Sequence, residues 1–186
     1  MVWLRIDVDN PCYYHPIFTR VRLRSTIPIP GYYTPTRETS AFLRSKFPQI
    51  RRRWFIRSII LPPKDIFADE EIGLHVTNPW KVLNEYTAVE NWFGRKIQYY
   101  TRHGRAKIAS GPAWTDEEKE HVHRALSGLE DLTERPHYTI TRLPDQPTNL
   151  DYSNIDHILF HPVHFRVARN ELEEVLRKVA SIPNRD

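Results

Sequence analysis

Residues 71–94, EIGLHVTNPWKVLNEYTAVENWFG, read as one complete strand-to-helix unit and decide the fold class. The apolar Ile72, Leu74 and Val76 alternate with Gly73, His75 and Thr77, which is the period of a β-strand. Asn78 then offers a side-chain oxygen to the first free N–H groups of a helix, and Pro79 brings the fixed φ that suits the first helical position. Val82, Tyr86, Val89 and Phe93 recur every three or four residues as one apolar stripe, and Gly94 supplies the left-handed stop.

The same signals extend outward in both directions. Val2, Leu4, Ile6 and Val8 alternate with Trp3, Arg5, Asp7 and Asp9, a strand whose second face ends in two carboxylates. Residues 10–35 are rich in Pro, Tyr and Gly and predict at most a short strand over 21–24. A helix is predicted over 36–47 with Pro48 as its stop, and WFIRSIIL (54–61), closed by Pro62-Pro63, reads as a strand buried on both faces. KIQYYTRH (96–103) predicts another strand, ended by Gly104. Thr115 with Glu118 forms a capping box for a helix whose inner face is Val122, Leu126 and Leu129. Two more strands are predicted over 138–142 and 155–160, and a last helix over 170–180 buries Leu172, Val175, Leu176 and Val179.

Strands alternating with helices long enough to cross back imply parallel βα units. The strand count is about seven, which suits a small distorted barrel or a doubly wound sheet, and in either the functional end is the carboxyl end of the strands. At 186 residues the chain is expected to be a single α/β barrel-like domain over 1–186. Its one cysteine, Cys12, excludes an internal disulfide framework, and the start MVWLRIDVDN has neither a charged leader region nor a long apolar run. A cytoplasmic location with no membrane partner is the expectation. A formal net charge of +4, from 27 Lys and Arg against 23 Asp and Glu, accommodates an anionic ligand without requiring one. The run Arg51-Arg52-Arg53 raises a nucleic-acid reading, but no helix-turn-helix, zinc-finger or RNP signature accompanies it, and a solvated face at a helix end accounts for it. No nucleic-acid partner is expected, and the sequence leaves the oligomeric state open.

The functional signal lies in where the polar residues fall. Asp7 and Asp9, His75, His103, and His161 with His164 each sit at or just after the carboxyl end of a predicted strand, whereas His121, His123, His137 and His157 fall on helices or strand starts. Period 2 puts Asp7 and Asp9 on one side of their strand with Cβ atoms roughly 6.5–7 Å apart, room for a cation and a water. Each motif has a plainer explanation. The aspartates could pair with Arg5 and Arg22, His75 could be a hydrogen-bonded histidine near a helix start, and Pro162 favours a turn between His161 and His164. Together they make a carboxylate–imidazole set suited to Zn²⁺, with Fe²⁺, Co²⁺, Ni²⁺ or Mn²⁺ as further occupants. Such a set, with a second carboxylate as base and a histidine as acid, hydrolyses amides and esters.

LRIDVD (4–9), EIGLH (71–75), YYTRHG (99–104) and HILFHP (157–162) stand in the order seen in polysaccharide deacetylases, and the chain resembles a short divergent member of that superfamily, the NodB-homology group or carbohydrate esterase family 4. The resemblance implies a distorted (β/α)₇ barrel and a metal-dependent deacetylase or amidohydrolase of carbohydrate metabolism, acting on non-peptide C–N bonds. It implies Asp7 as catalytic base, Asp9 and His75 as metal ligands, and His161 as catalytic acid. The family's second metal histidine, four residues after the first, is here Pro79. His103 is therefore the candidate third ligand, with His164 behind it. The expected substrate is a sugar or sugar-like small molecule carrying an acyl, chiefly acetyl, group, and Arg22, Arg102 or Arg105 could meet a phosphate or carboxylate on it. The alternative is a catalytically inactive sugar-binding module in which Trp80, Trp114 or Tyr100 stacks on the sugar.

Overall fold

The strand WLRIDV, Trp3–Val8 (β1), is buried along its whole length, so both faces of the sheet it belongs to are covered. A computed structural model describes residues 2–8, 33–59, 61–104, 113–140 and 154–181. After β1 come Arg52–Ile56 (β2), Glu71–Val76 (β3), Tyr99–Arg102 (β4), Glu130–Asp131 (β5), His137–Thr139 (β6) and His157–Phe160 (β7). They form one sheet in the order β5-β4-β3-β2-β1-β7-β6, and every pairing is parallel. The sheet curls into a half-barrel, in agreement with the distorted (β/α)₇ barrel expected. Its end strands β5 and β6 are consecutive in the chain. Between them Arg135 reaches Glu130 on β5 and, at 3.4 Å, Asp156 just before β7.

Outside the curl, among the described residues, lie four helices, Thr34–Lys46 (α1), Val82–Phe93 (α2), Asp116–Ala125 (α3) and Phe165–Ala180 (α4). They cover the face that carries Leu4, Ile6, Trp54, Ile56, Leu74, Tyr100, Ile158 and Phe160, and this layer is the main core. Phe42 of α1 meets Phe165 of α4 edge-on at 5.4 Å, which seats two helices together over β1 and β7. The capping box is formed: Thr115 Oγ1 accepts from the Glu118 N–H at 3.2 Å and the Glu118 carboxylate accepts from the Thr115 N–H at 2.9 Å. Gly94 takes φ 67°, the left-handed stop anticipated for α2.

The concave face is filled differently. Trp3, Phe55 and Leu132 form a second, small cluster with Tyr99 against it. The Arg53 guanidinium lies over the Tyr99 ring at 3.8 Å and over Trp3 at 4.7 Å, and Trp3 stacks on His157 at 4.6 Å. Gly73 leaves the space that the Phe55 ring occupies, since a Cβ there would come within 2.4 Å of it.

Several boundaries differ from expectation. β2 spans Arg52–Ile56 rather than 54–61, because Arg52 and Arg53 enter the sheet and the chain turns after Arg57. The arginine run is thus no solvated helix end. Arg52 pairs with buried Glu70 at 2.6 Å, while Arg51 and Arg53 pair with Glu71 at 2.9 and 2.7 Å. The last helix starts at Phe165 rather than 170, preceded by a 3₁₀ turn over Pro162–His164 in which Pro162 initiates instead of breaking. The two-residue strand β5 was not foreseen, and the strand expected over 21–24 lies outside the described residues. Among the described residues no helix is long and apolar enough to cross a membrane.

Candidate functional site

β1, β3 and β4 deliver their polar ends to one corner of the concave face. Asp7 is the penultimate residue of β1, His75 the penultimate residue of β3, and Thr101 is the register partner of His75 on β4. His103 follows β4 directly. Its backbone is held on both sides, the N–H donating to the Val76 carbonyl at 2.8 Å and the carbonyl accepting from the Trp114 indole at 2.8 Å.

Asp7 is buried, and an isolated buried carboxylate would be prohibitively costly. Arg5, two residues earlier and therefore on the same side of β1, resolves this with a two-pronged contact: Nε donates to Oδ1 at 2.9 Å and Nη2 to Oδ2 at 2.7 Å. The remaining reach of Arg5 goes across the curl to the Leu132 carbonyl at 3.3 Å. The pairing of Asp7 with Arg5, one of the two outcomes open in the sequence, is present.

His75 is also buried. Its Nδ1 lies 2.7 Å from Thr101 Oγ1 and 4.0 Å from Asp7 Oδ2, and its Nε2 lies 3.1 Å from Nδ1 of His103. The two imidazoles meet edge-to-face, with centroids 5.1 Å apart. Two nitrogens bound to one tetrahedral Zn²⁺ at about 2.0–2.1 Å each would stand about 3.3 Å from one another. The separation alone therefore matches two positions of such a cation. Among the described residues no group of three His, Cys, Asp or Glu side chains stands in a metal-holding arrangement, and Asp9, the carboxylate expected to complete the set, lies outside them.

His161 directly follows β7, the strand paired with β1 on the side away from β3, one residue past the register pair Ile6–Phe160. It is half-buried and its ring faces that of His164 at 6.1 Å. Asn78 accepts from the Trp80 N–H at 3.0 Å, but what it caps is the 3₁₀ turn Pro79–Lys81 that leads into α2 rather than α2 itself, which begins at Val82. Two residues beyond His75, Thr77 donates through its N–H to Glu85 at 2.9 Å and through its hydroxyl to the same carboxylate, which ties α2 to the end of β3. Burial raises the Glu85 pKa and these Thr77 bonds oppose the rise.

Other sequence candidates separate from this corner. Tyr100 is wholly buried in the outer core and cannot stack on a ligand. Arg102, 8% exposed, is committed to Asp131 at 3.3 Å and Glu134 at 2.7 Å, which removes it as an anion receptor. Trp80 is exposed and leans on His121 with centroids 4.7 Å apart. Arg22 and Arg105 lie outside the described residues. A groove of about 420 Å³ opens at the opposite, amino ends of β3 and β4 between Glu71, Arg95, Lys96 and Tyr99, and holds none of the candidate residues. Sequence reasoning missed Thr101. Only knowledge of the β3–β4 register, which pairs it with His75, identifies it.

No protein-family model and no curated protein matches the chain. Two solved structures resemble it. One is a mutant of a CE4 family pseudoenzyme with restored enzymatic activity, 11% identical, with 97% of this chain and 63% of that one covered at a TM-score of 0.55. The other is a family 4 carbohydrate esterase from Bacillus anthracis, 14% identical, with 98% of this chain and 78% of that one covered at a TM-score of 0.49. The present chain therefore spans 63% of the length of the first. The fold is that of the CE4 carbohydrate esterases, the polysaccharide deacetylase fold.

Proposed function

We propose that this chain is a metal-dependent hydrolase that removes an acyl group, acetyl foremost, from a sugar or sugar-like amide. The reading rests on one observation above the others. Two imidazole nitrogens, from strand ends far apart in sequence, stand 3.1 Å apart beside a buried carboxylate at the carboxyl end of a deacetylase-like half-barrel. His75 and His103 would hold a divalent cation, Zn²⁺ by the nature of its donors, and Asp9 would complete the set. When bound, such a cation supplies Lewis-acid polarisation of an acyl oxygen and acidifies water.

The chain's own residues then have distinct tasks. The Arg5 fork fixes the plane of the Asp7 carboxylate and takes two of its roughly four lone-pair sites, so a proton taken up by Asp7 as base goes to a defined edge. His161, arriving from the opposite neighbour of β1, is the group assigned to protonate the leaving amine. The substrate class is carried from the carbohydrate esterases that share the fold.

Three observations favour a second reading, an inactive sugar-binding module. Asp7 is already engaged by Arg5, Pro79 stands where the family resemblance requires a histidine, and a solved chain of the same fold is described as a pseudoenzyme. Acetate release from a panel of N-acetyl sugars with Zn²⁺, Co²⁺, Ni²⁺ or Mn²⁺ added separates the two. Turnover that falls by about 10²–10⁴-fold in Asp7→Asn supports the hydrolase. Saturable sugar binding without acetate release under any of these metals supports the module and refutes the hydrolase.

A further inference from the structure

We infer that Thr101 is a positioning residue that sets the tautomer of His75, keeping the proton on Nδ1 so that Nε2 faces His103 with its lone pair. The inference concerns the same corner as the proposed hydrolase site and gives its cation set a required second layer.

The argument starts from the register. His75 and Thr101 are directly opposite on the adjacent parallel strands β3 and β4, so their side chains leave the same face of the sheet side by side. Both are buried, and Thr101 Oγ1 lies 2.7 Å from His75 Nδ1. A neutral imidazole carries one proton, and only the nitrogen without it can ligate a cation. A hydroxyl can accept or donate, so the threonine by itself allows either tautomer. The Asp7 carboxylate tips the balance, and Thr101 supplies the acceptor that a buried Nδ1–H needs, so the preference depends on both. Asp7 Oδ2 is 4.0 Å from the same Nδ1, and a negative charge on that side favours the form in which Nδ1 bears hydrogen. Nδ1–H then donates to Thr101, and Nε2 points its lone pair at His103 Nδ1, 3.1 Å away. Without a cation, His103 Nδ1 is the donor of that contact. Outer partners of this kind fix the orientation and basicity of a ligating histidine.

The test reads the tautomer without any metal. Two-bond ¹H–¹⁵N correlation spectra of the metal-free, full-length chain, assigned through His75→Gln, report which ring nitrogen is protonated. The expected result is Nδ1–H in wild type, retained in Thr101→Ser, and a change to Nε2–H in Thr101→Val, whose near-identical shape preserves packing. A Zn²⁺ competition titration against a chromophoric chelator on the same samples should show a 10–100-fold loss of affinity in Thr101→Val and little in Thr101→Ser. His75 found as Nε2–H in wild type, or unmoved by Thr101→Val, overturns the inference. Equal Zn²⁺ affinity in wild type and Thr101→Val overturns it while leaving the cation reading intact. A wild type that takes up no Zn²⁺ yet shows the Thr101-dependent tautomer sustains the inference and removes the cation reading.

Discussion

His157 should make the fold acid-sensitive, and the size of the effect can be worked out in advance. The residue opens β7 with no measurable exposure, its ring between those of Trp3 at 4.6 Å and His137 at 5.1 Å, and neither ring nitrogen has a hydrogen-bond partner among the described residues. Burial above all, then the positive charge of Arg5 and the neighbouring His137, push its pKa down to about 3; Asp7 opposes this and Arg135 adds to it. In the unfolded chain the imidazole titrates near its ordinary value of about 6.5. Between the two values the unfolded state binds a proton that the folded state refuses, so stability is full above about pH 6.5 and is lost as the pH falls. At about 1.36 kcal/mol per pH unit, the loss relative to pH 7.5 is about 2 kcal/mol at pH 5 and about 3 kcal/mol at pH 4. His157→Phe keeps a flat ring between Trp3 and His137 and removes the titration. Urea unfolding followed by tryptophan fluorescence at pH 7.5, 5 and 4 should therefore show wild type losing about 2–3 kcal/mol more than the variant, while carboxylates common to both cancel. At pH 7.5 the variant should be as stable as wild type or more so, because two unsatisfied buried nitrogens disappear. Parallel stability curves for the two proteins across this range would refute the reasoning.

Three further outcomes test the packing. Gly73→Ala places a methyl 2.4 Å from the Phe55 ring and 3.1 Å from the Tyr99 carbonyl, and should cost about 1–3 kcal/mol in urea, with Phe55→Leu in the same chain recovering part of the loss. Arg5→Leu strands the buried Asp7 charge and should cost about 3–5 kcal/mol, whereas Arg5→Leu with Asp7→Leu should cost clearly less; additive losses would refute the pairing. Thr115→Ala removes the α3 cap and should cost about 1 kcal/mol, read from the thermal midpoint.

The β3–α2 unit was legible but for the 3₁₀ turn that precedes its helix, because its signals are local: alternation, a capping Asn78, Pro79 and Gly94 all act within a turn of where they stand. β2 was misplaced for the opposite reason. Arginine counts as a surface residue in any pattern, and only the long-range partners Glu70, Glu71, Trp3 and Tyr99 make Arg52 and Arg53 interior strand residues. β5 has two acidic residues and no apolar period, and exists because β4 offers it a partner. In the site, the meeting of His75 with His103 followed from strand ends sharing one rim. Thr101 did not, since a register between strands leaves no mark on either one alone.

The stack of Trp3, Arg53, Tyr99 and His157 has a bearing on traffic through the molecule. These side chains belong to the first turns of their strands and stopper the amino mouth of the curl with flat rings laid on a guanidinium. Above the stopper, Arg5 spans the curl to the Leu132 carbonyl. Among the described residues, the amino end of the concave face is thus closed by packed rings, while Asp7, His75 and His103 stand towards the other, carboxyl end.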